Sequence, residues 1–295
     1  MAITAKQVKE LREMTGAGMM DCKKALTQTD GDMEKAVDWL REQGIAKSSK
    51  KAGRVAAEGL TRVAVEGNTG IIFEVNSETD FVAKNEKFQD LLNDLQCLIL
   101  ANKPGTVEEV LAIPTETGTV ADLITTATAT IGEKIAFRRV AIVEKTDDQQ
   151  FGTYMHMGGT ISVLVVLSGA SEEVAKNMAM QVASMNPQYL NQADVPSAEL
   201  ERESELQKKM MAEDPKLQGK PEKVLEGILK GKISKHFADQ CLMDQEFILD
   251  SKQKVAGYLK QNKATVIEFI RFAAGEGIEK KEEDFAAEVA AQIKG

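Results

Sequence analysis

The sequence predicts an α+β fold. Its expected parts are a three-helix N-terminal unit, a duplicated hairpin–helix–strand core, an antiparallel coiled-coil insertion and a C-terminal helical module. Three observations predict it. Apolar residues recur at helical spacing through the first 44 residues. Alternating or continuous apolar runs over 60–66, 71–76, 135–144, 160–167 and 265–273 read as strands, and the first two flank a Gly-Asn turn. The order hairpin, helix, strand then occurs twice, with Val82-Ala83-Lys84 in the first copy matched by Val174-Ala175-Lys176 in the second.

Each element has a local reason. A first helix is predicted over 4–14, with Val8 and Leu11 on one face, broken by Thr15-Gly16-Ala17-Gly18. A second, over 19–27, should bury Met20 or Met19 together with Ala25 and Leu26. Asp30-Gly31-Asp32 makes a turn and cap. A third helix carries Met33, Ala36, Val37 and Leu40 inward and should end at Gly44. The short helices, with G-x-M opening the second and A-V-x-W-L in the third, resemble a ubiquitin-associated-type bundle and define a domain over 1–54. Lys47, Lys50, Lys51 and Arg54 then read as a basic linker to about residue 58.

The first half of the core spans 55–145. After its hairpin, Ser77-Glu78-Thr79-Asp80 looks like a helix start. A long amphipathic helix over 81–100 should bury Phe88, Leu91, Leu92, Leu95 and Leu98. Short helices over 106–112 and 120–131 precede the strand at 135–144. The second half covers 146–190 and 236–275: a hairpin closed by Gly158-Gly159, a helix over 171–185 and a strand at 265–273. Between them, 191–235 forms two charged helices about Asp214-Pro215 and Gly219-Lys220-Pro221. Leu200, Leu206 and Met210 on one, and Val224, Leu225, Ile228 and Leu229 on the other, read as the seam of a coiled-coil hairpin. The C-terminal module, 276–295, is a helix led by acidic residues.

Composition excludes much chemistry. The 295 residues hold 37 Lys and Arg against 46 Asp and Glu, a net charge of 37 − 46 = −9. Such a chain lacks the cation excess that general nucleic-acid binding needs. Within 1–54 the balance reverses, 11 − 8 = +3. His156 and His236 are the only histidines. Cys22, Cys97 and Cys241 form no C-x-x-C pair and are expected to be buried free thiols in a reducing, cytoplasmic setting. The run over 161–167 is far short of the roughly 20 residues that span a bilayer. No secretory leader pattern opens the chain, so neither a membrane nor an organelle is expected. Gly16-Ala17-Gly18 starts like a dinucleotide loop, and the 227–233 segment is one residue short of a phosphate loop. Both sit in helical patterns with no preceding strand. Carboxylate pairs such as Glu172-Glu173 and Glu282-Glu283 read as solvated helix faces. No enzyme site, metal site or cofactor is expected.

Thr79-Asp80-Phe81-Val82 admits two readings. In one, Thr79 or Asp80 caps the following helix and Phe81 staples its first turn. In the other, an acid and an aromatic stand exposed on a strand-to-helix corner as a wedge for a partner.

Four stretches then resemble the translation elongation factor Ts family: LRE-x-TGAGMMDCKKAL over 11–26, EVN-x-x-TDFVA over 74–83, IGE at 131–133 with Arg138-Arg139, and GEGIEK at 275–280 with DFAAEV at 284–289. They occur in order and cover the chain from end to end. The resemblance implies a guanine-nucleotide exchange factor that acts by binding elongation factor Tu. It would displace the partner's magnesium ion, promote GDP release and allow GTP reloading. Thr79, Asp80, Phe81 and Val82 would form the wedge. Arg12, Met19, Met20 and Lys23 would grip the GTPase domain, Ile131 and Gly132 would flank the wedge, and His156 would face another domain of the partner. The alternative is an interaction module in which residues 1–54 alone carry the binding. The coiled-coil hairpin leaves open a homodimer, or a two-plus-two complex with the GTPase.

Overall fold

The computed structural model describes residues 3–279. Three helices open the chain: α1 (Ala5–Thr15), α2 (Met19–Gln28) and α3 (Met33–Lys51). Thr4 and Gln7 form a reciprocal cap on α1, and Asp32 caps α3 through the Lys35 N–H. Val8, Leu11, Cys22, Ala25, Leu26 and Ala36 make a small core of their own, flanked by Val37, Trp39 and Leu40. Two expectations fail here. Met19 and Met20 are both exposed, and Cys22 fills the interior position instead. Helix α3 does not stop at Gly44. It runs seven residues further, so the first part of the expected linker, with Lys47, Lys50 and Lys51, is helical.

Gly44 is buried where α3 crosses the core, and a Cβ there would meet the Cβ of Ala129 at 3.6 Å, an ordinary contact distance. Arg41 pairs with Asp122 at 3.1 Å across the same joint, and Lys51 donates to the Thr128 carbonyl. Beside the crossing a cavity of about 490 Å³ opens around Trp39.

The first sheet follows. Strands β1 (Glu58–Glu66) and β2 (Thr69–Ser77) form the expected hairpin, extended to leave only Gly67 and Asn68 in the turn. A 3₁₀ turn at Val82–Lys84 separates β2 from α4 (Glu86–Asn102). Then come α5 (Val107–Ala112), the two-residue strands β3 (Pro114–Thr115) and β4 (Gly118–Thr119), α6 (Val120–Ile131) and β5 (Ala136–Glu144). The strand order is β1-β2-β5, all antiparallel. Every residue of the central strand β2 is buried. Helices α4 and α6 cover one face, where Phe73, Phe88, Leu92, Leu95, Ile99 and Phe137 form the largest core.

The second sheet is built in the same order. Strands β6 (Gln149–His156) and β7 (Ile161–Ser168) form a hairpin, and α7 (Glu172–Met185) packs behind it. After the insertion, the last strand, β10 (Thr265–Ala273), pairs with β7, giving β10-β7-β6. Here Gly152 admits the helix: a Cβ would lie 2.1 Å from the Ala175 carbonyl oxygen. The two sheets meet through their other faces. Val63 and Val143 pack against Phe151, Leu164, Val166 and Ile270. Thr61 reaches across, donating from its amide to the Gly159 carbonyl at 2.7 Å and from its hydroxyl to Ser162 at 2.8 Å.

The insertion holds α8 (Ser197–Glu213) and α9 (Glu222–Ala238). Its inward stripe on α8 is Leu200, Glu203, Gln207 and Met211, at helical spacing. Leu206 and Met210, expected inward, are exposed because each precedes a stripe position by one residue, about 100° round the helix. Glu203 in the stripe accepts from Gln207 at 2.7 Å and lies 3.5 Å from His236 on α9. The seam is therefore partly polar. The strands β8 (Glu246–Phe247) and β9 (Asp250–Lys254) and the helix α10 (Val255–Gln261) lead back to β10 (Thr265–Ala273). Beyond Glu279, the expected C-terminal helix lies outside the described residues. Among them, no helix is long and apolar enough to cross a membrane.

Candidate protein-interaction site

The chain leaves β2 at Ser77, whose hydroxyl donates to the Thr79 carbonyl at 2.9 Å. It then turns sharply. Amides of Ala83, Lys84 and Asn85 donate to the carbonyls of Asp80, Phe81 and Val82 in a 3₁₀ turn. Regular helix begins only at Glu86, where Asn85 accepts from the Lys87 amide at 3.0 Å. Thr79 and Asp80 are thus not the cap of α4, and Phe81 is not a staple. Val82 is 5% exposed within the first core, whereas Phe81 is 80% exposed and Asp80 is also on the surface. One buried residue fixes the turn, and the two before it are held outward.

The loop that ends α6 grips this corner. Gly132, in a left-handed conformation at φ 90°, caps α6 and turns the chain. Glu133 then accepts from the Thr79 amide at 2.9 Å and from its hydroxyl at 2.7 Å. In return, Glu78 accepts from the Lys134 amide at 2.6 Å and from the Arg54 guanidinium at 3.1 Å. Lys134 extends its ammonium to the carbonyls of Ala52 and Arg54. From the other side, Gln89 on α4 donates to the Ala83 carbonyl, and Arg62 on β1 donates to Gln89.

Two other surfaces connect to the corner. Lys87, one turn from it, donates to the Gly16 carbonyl at 2.6 Å and holds the α1–α2 loop beside the head of α4. The head of α2 carries Met19 and Met20, 54% and 76% exposed, and Arg12 and Lys23 are exposed on the same unit. On the other flank, the β6–β7 turn presents Met155, His156 and Met157 to solvent. His156 Nδ1 lies 3.3 Å from the Tyr154 hydroxyl. Arg62 points a nitrogen at the Met155 sulfur, 3.8 Å away, so the Arg62–Gln89 pair runs from this turn to the corner. Burial lowers the pKa of Arg62, and its Nε is buried without a hydrogen-bond partner.

Behind the corner lies a buried ion cluster. Glu74 on β2 is fully buried, and burial alone would raise its pKa. The Gly275 amide at 2.8 Å, Asn76 at 2.9 Å and the guanidinium groups of Arg138 and Arg139 together hold it below the usual value. Arg138 and Arg139 also donate to the carbonyls of Glu276 and Ala273. The cluster thereby ties the end of the described chain to the first sheet.

Cys22 and Cys241 are buried, and desolvation raises both thiols. Cys97, expected inside, is exposed on the outer side of α4. Among the described residues, no group of three His, Cys, Asp or Glu side chains converges as a metal site would require.

Of the residues singled out in the sequence, the fold gathers Thr79–Val82, Ile131 and Gly132 at one corner and tethers the α2 head and the β6–β7 turn to it. Glu133, Glu78, Lys87, Arg62 and Gln89 were not singled out as site residues. Glu133 lay within the quoted IGE stretch. Glu78, Lys87 and Arg62 give no local signal, because each acts across 24 to 93 residues of sequence, and Gln89 joins Ala83, six positions away, to the distant Arg62.

Known proteins can be compared with this arrangement. The family model described as Elongation factor TS matches residues 78–276, which include the corner, strand β5 of the first sheet, the whole second sheet and the insertion. A curated protein from Acholeplasma laidlawii (strain PG-8A), named Elongation factor Ts, is 53% identical over 294 residues, covering 99% of each chain. The chain belongs to the elongation factor Ts family, whose role is nucleotide exchange in translation elongation.

Proposed function

We propose that this chain binds elongation factor Tu, displaces its magnesium ion and so promotes GDP release and GTP reloading. One observation carries the reading: Phe81 stands 80% exposed beside Asp80, on a corner whose neighbours Thr79 and Val82 are fixed. A fixed, exposed phenylalanine gains roughly 1.5–3 kcal/mol when a partner covers it. The carboxylate beside it competes for the polar contacts that hold a metal ion.

The mechanism is linkage without bond chemistry. If the factor binds the nucleotide-free partner better than the loaded one, factor and nucleotide weaken each other by the same ratio. Removing the magnesium charge loosens the phosphates, and GTP rebinding expels the factor. No nucleotide or metal site on this chain is needed, and it acts in the cytoplasm without nucleic acid or membrane. Arg12, Met19, Met20 and Lys23 contact the GTPase domain alongside the wedge, Ile131 and Gly132 flank it, and His156 meets a second domain. The working units are 1–54, a ubiquitin-associated-like domain; 55–145 and 146–190 with 236–275, the duplicated core; 191–235, the coiled-coil hairpin; and 276–295, the C-terminal module. The hairpin is the segment available to join two copies or a two-plus-two complex.

The test is release of labelled GDP from elongation factor Tu. The wild-type chain should accelerate it, and Asp80→Ala with Phe81→Ala should keep the fold and some binding but lose most of the acceleration. Equal rates for wild type and the double variant reject the wedge.

A further inference from the structure

We propose that Glu133 is a positioning residue for the wedge, and that the clamp it forms with Thr79, mirrored by Glu78 and Lys134, converts binding into nucleotide release. The proposal rests on the exchange reading above.

The clamp is reciprocal. Residues 78 and 79 of one loop and 133 and 134 of the other each give a carboxylate and each give an amide. Thr79 donates from its amide and its hydroxyl to the two oxygens of Glu133, at 2.9 and 2.7 Å. The Lys134 amide donates to Glu78 at 2.6 Å. Bonds running in both directions resist sliding and rotation of one loop against the other. Their acceptors are carboxylates, which make the stronger class of hydrogen bond. Arg54 on Glu78, and Lys134 on the Ala52 and Arg54 carbonyls, extend the clamp to the segment that joins α3 to β1.

The clamp is separable from the fold. Glu78, Thr79 and Glu133 are half-buried, and none belongs to a hydrophobic core. Water can replace their bonds at small cost to stability. What the clamp fixes is the direction of Asp80 and Phe81, the next two residues. A wedge free to swing spends part of its binding energy on being ordered at the moment of release. Loss of the clamp should therefore lower the maximal rate more than the affinity.

The experiment measures GDP release from elongation factor Tu against rising concentrations of the full chain. Glu133→Gln keeps the shape and one acceptor. Thr79→Val removes the hydroxyl and keeps the amide, and Thr79→Ser keeps both donors. Glu133→Gln and Thr79→Val should each lower the maximal rate about tenfold, the effect of one charge-assisted hydrogen bond. The half-saturating concentration should move by less than about threefold and the melting temperature should stay unchanged, as expected for a partly exposed group. Thr79→Ser should recover most of the rate that Thr79→Val loses, and the double variant Glu133→Gln, Thr79→Val should be no slower than the slower single variant. Wild-type maximal rate for Glu133→Gln overturns the proposal. So do losses that multiply in the double variant, or a loss confined to affinity or melting. If Glu133→Gln does not fold, Thr79→Val against Thr79→Ser decides. The variant Asp80→Ala, Phe81→Ala separates the two readings. If it releases GDP at the wild-type rate, the wedge itself is rejected. If it is slow while Glu133→Gln is fast, only the clamp is.

Discussion

Replacing Glu74 by Gln should cost about 3 kcal/mol of core stability. The magnitude follows from the bonds. One carboxylate oxygen accepts from Asn76 at 2.9 Å, Arg138 at 3.0 Å and the Gly275 amide at 2.8 Å. The other accepts from Arg138 and Arg139. An amide turned either way sets its NH₂ against donors. With the NH₂ toward the arginines, the Arg139 bond is lost. With it toward Gly275, a backbone N–H is orphaned as well. Breaking a buried ion pair by removing one partner costs about 3–5 kcal/mol. Arg138 and Arg139 are 27% and 28% exposed, so water can reach them and the lower end applies. With a urea slope of about 3 kcal/mol per molar for a chain of this size, the midpoint should fall by about 1 M. Far-ultraviolet circular dichroism is the right probe. The only tryptophan, Trp39, sits in the helical unit of α1–α3 and reports on that unit instead. A midpoint shift below about 0.3 M would mean that the cluster is dispensable and that Gly275 and Glu276 are tied down by other contacts.

The same group sets a pH dependence. The folded-state pKa of Glu74 lies below the unfolded one, so its stabilisation is complete above the unfolded value near 4.3 and is lost as pH falls through the folded value. Urea midpoints of wild type and Glu74→Gln should converge as the pH falls through that lowered folded value. Gly44→Ala should stabilise α3 by about 0.5–1 kcal/mol, because the added methyl meets Ala129 at an ordinary contact distance; a lower melting temperature would show that the crossing has no room. Gly152→Ala should cost about 3 kcal/mol or more, since its Cβ would collide with the Ala175 carbonyl; an unchanged melt would contradict the close approach of α7 to β6. At the corner, Phe81→Ala should leave the melt within about 0.5 kcal/mol, whereas Val82→Ala should lower it by about 1.5–3 kcal/mol. Thermal scans of the pair check whether one residue faces out and the next faces in.

The larger pattern was legible in the sequence because it is periodic. The alternation in 60–66 and 71–76, the runs in 135–144 and 161–167, the hairpin partner before Gly158-Gly159 and the final strand at 265–273 identified six strands. The repeated order predicted two sheets built alike. The errors have physical causes. Gly44 looked like a helix end because glycine is the commonest C-cap, yet here it lies inside a continuous helix, buried where that helix crosses the core beside Ala129. Leu206 and Met210 looked like seam residues because they are apolar, yet the seam admits Glu203 and Gln207 in a hydrogen-bonded pair. Thr79 looked like a cap because its residue type favours caps, yet its hydroxyl is taken by Glu133, which lies 54 positions away. The strands β8 and β9 were missed because their residues are mostly polar and few. For Gly44 and Thr79 the deciding partners, Ala129 and Glu133, are distant in sequence, so no local window contains them.

The location of the corner explains why it can act. Strand β2 is buried along its whole length, between β1 and β5 and beneath helices α4 and α6. It is the segment whose displacement disturbs the most packing. Phe81 follows its last residue by four positions, and the intervening backbone is held by Ser77, by Glu133 and by burial of Val82. The exposed ring therefore inherits the rigidity of the core. An exposed aromatic on a mobile loop would bind with the same contact area but would lose part of that energy in being ordered. Under the proposed function, a residue that pushes a bound ion aside needs a stiff support more than a large surface. That is why the supporting groups, Glu133 and Gln89, belong to the functional account as much as the ring they hold.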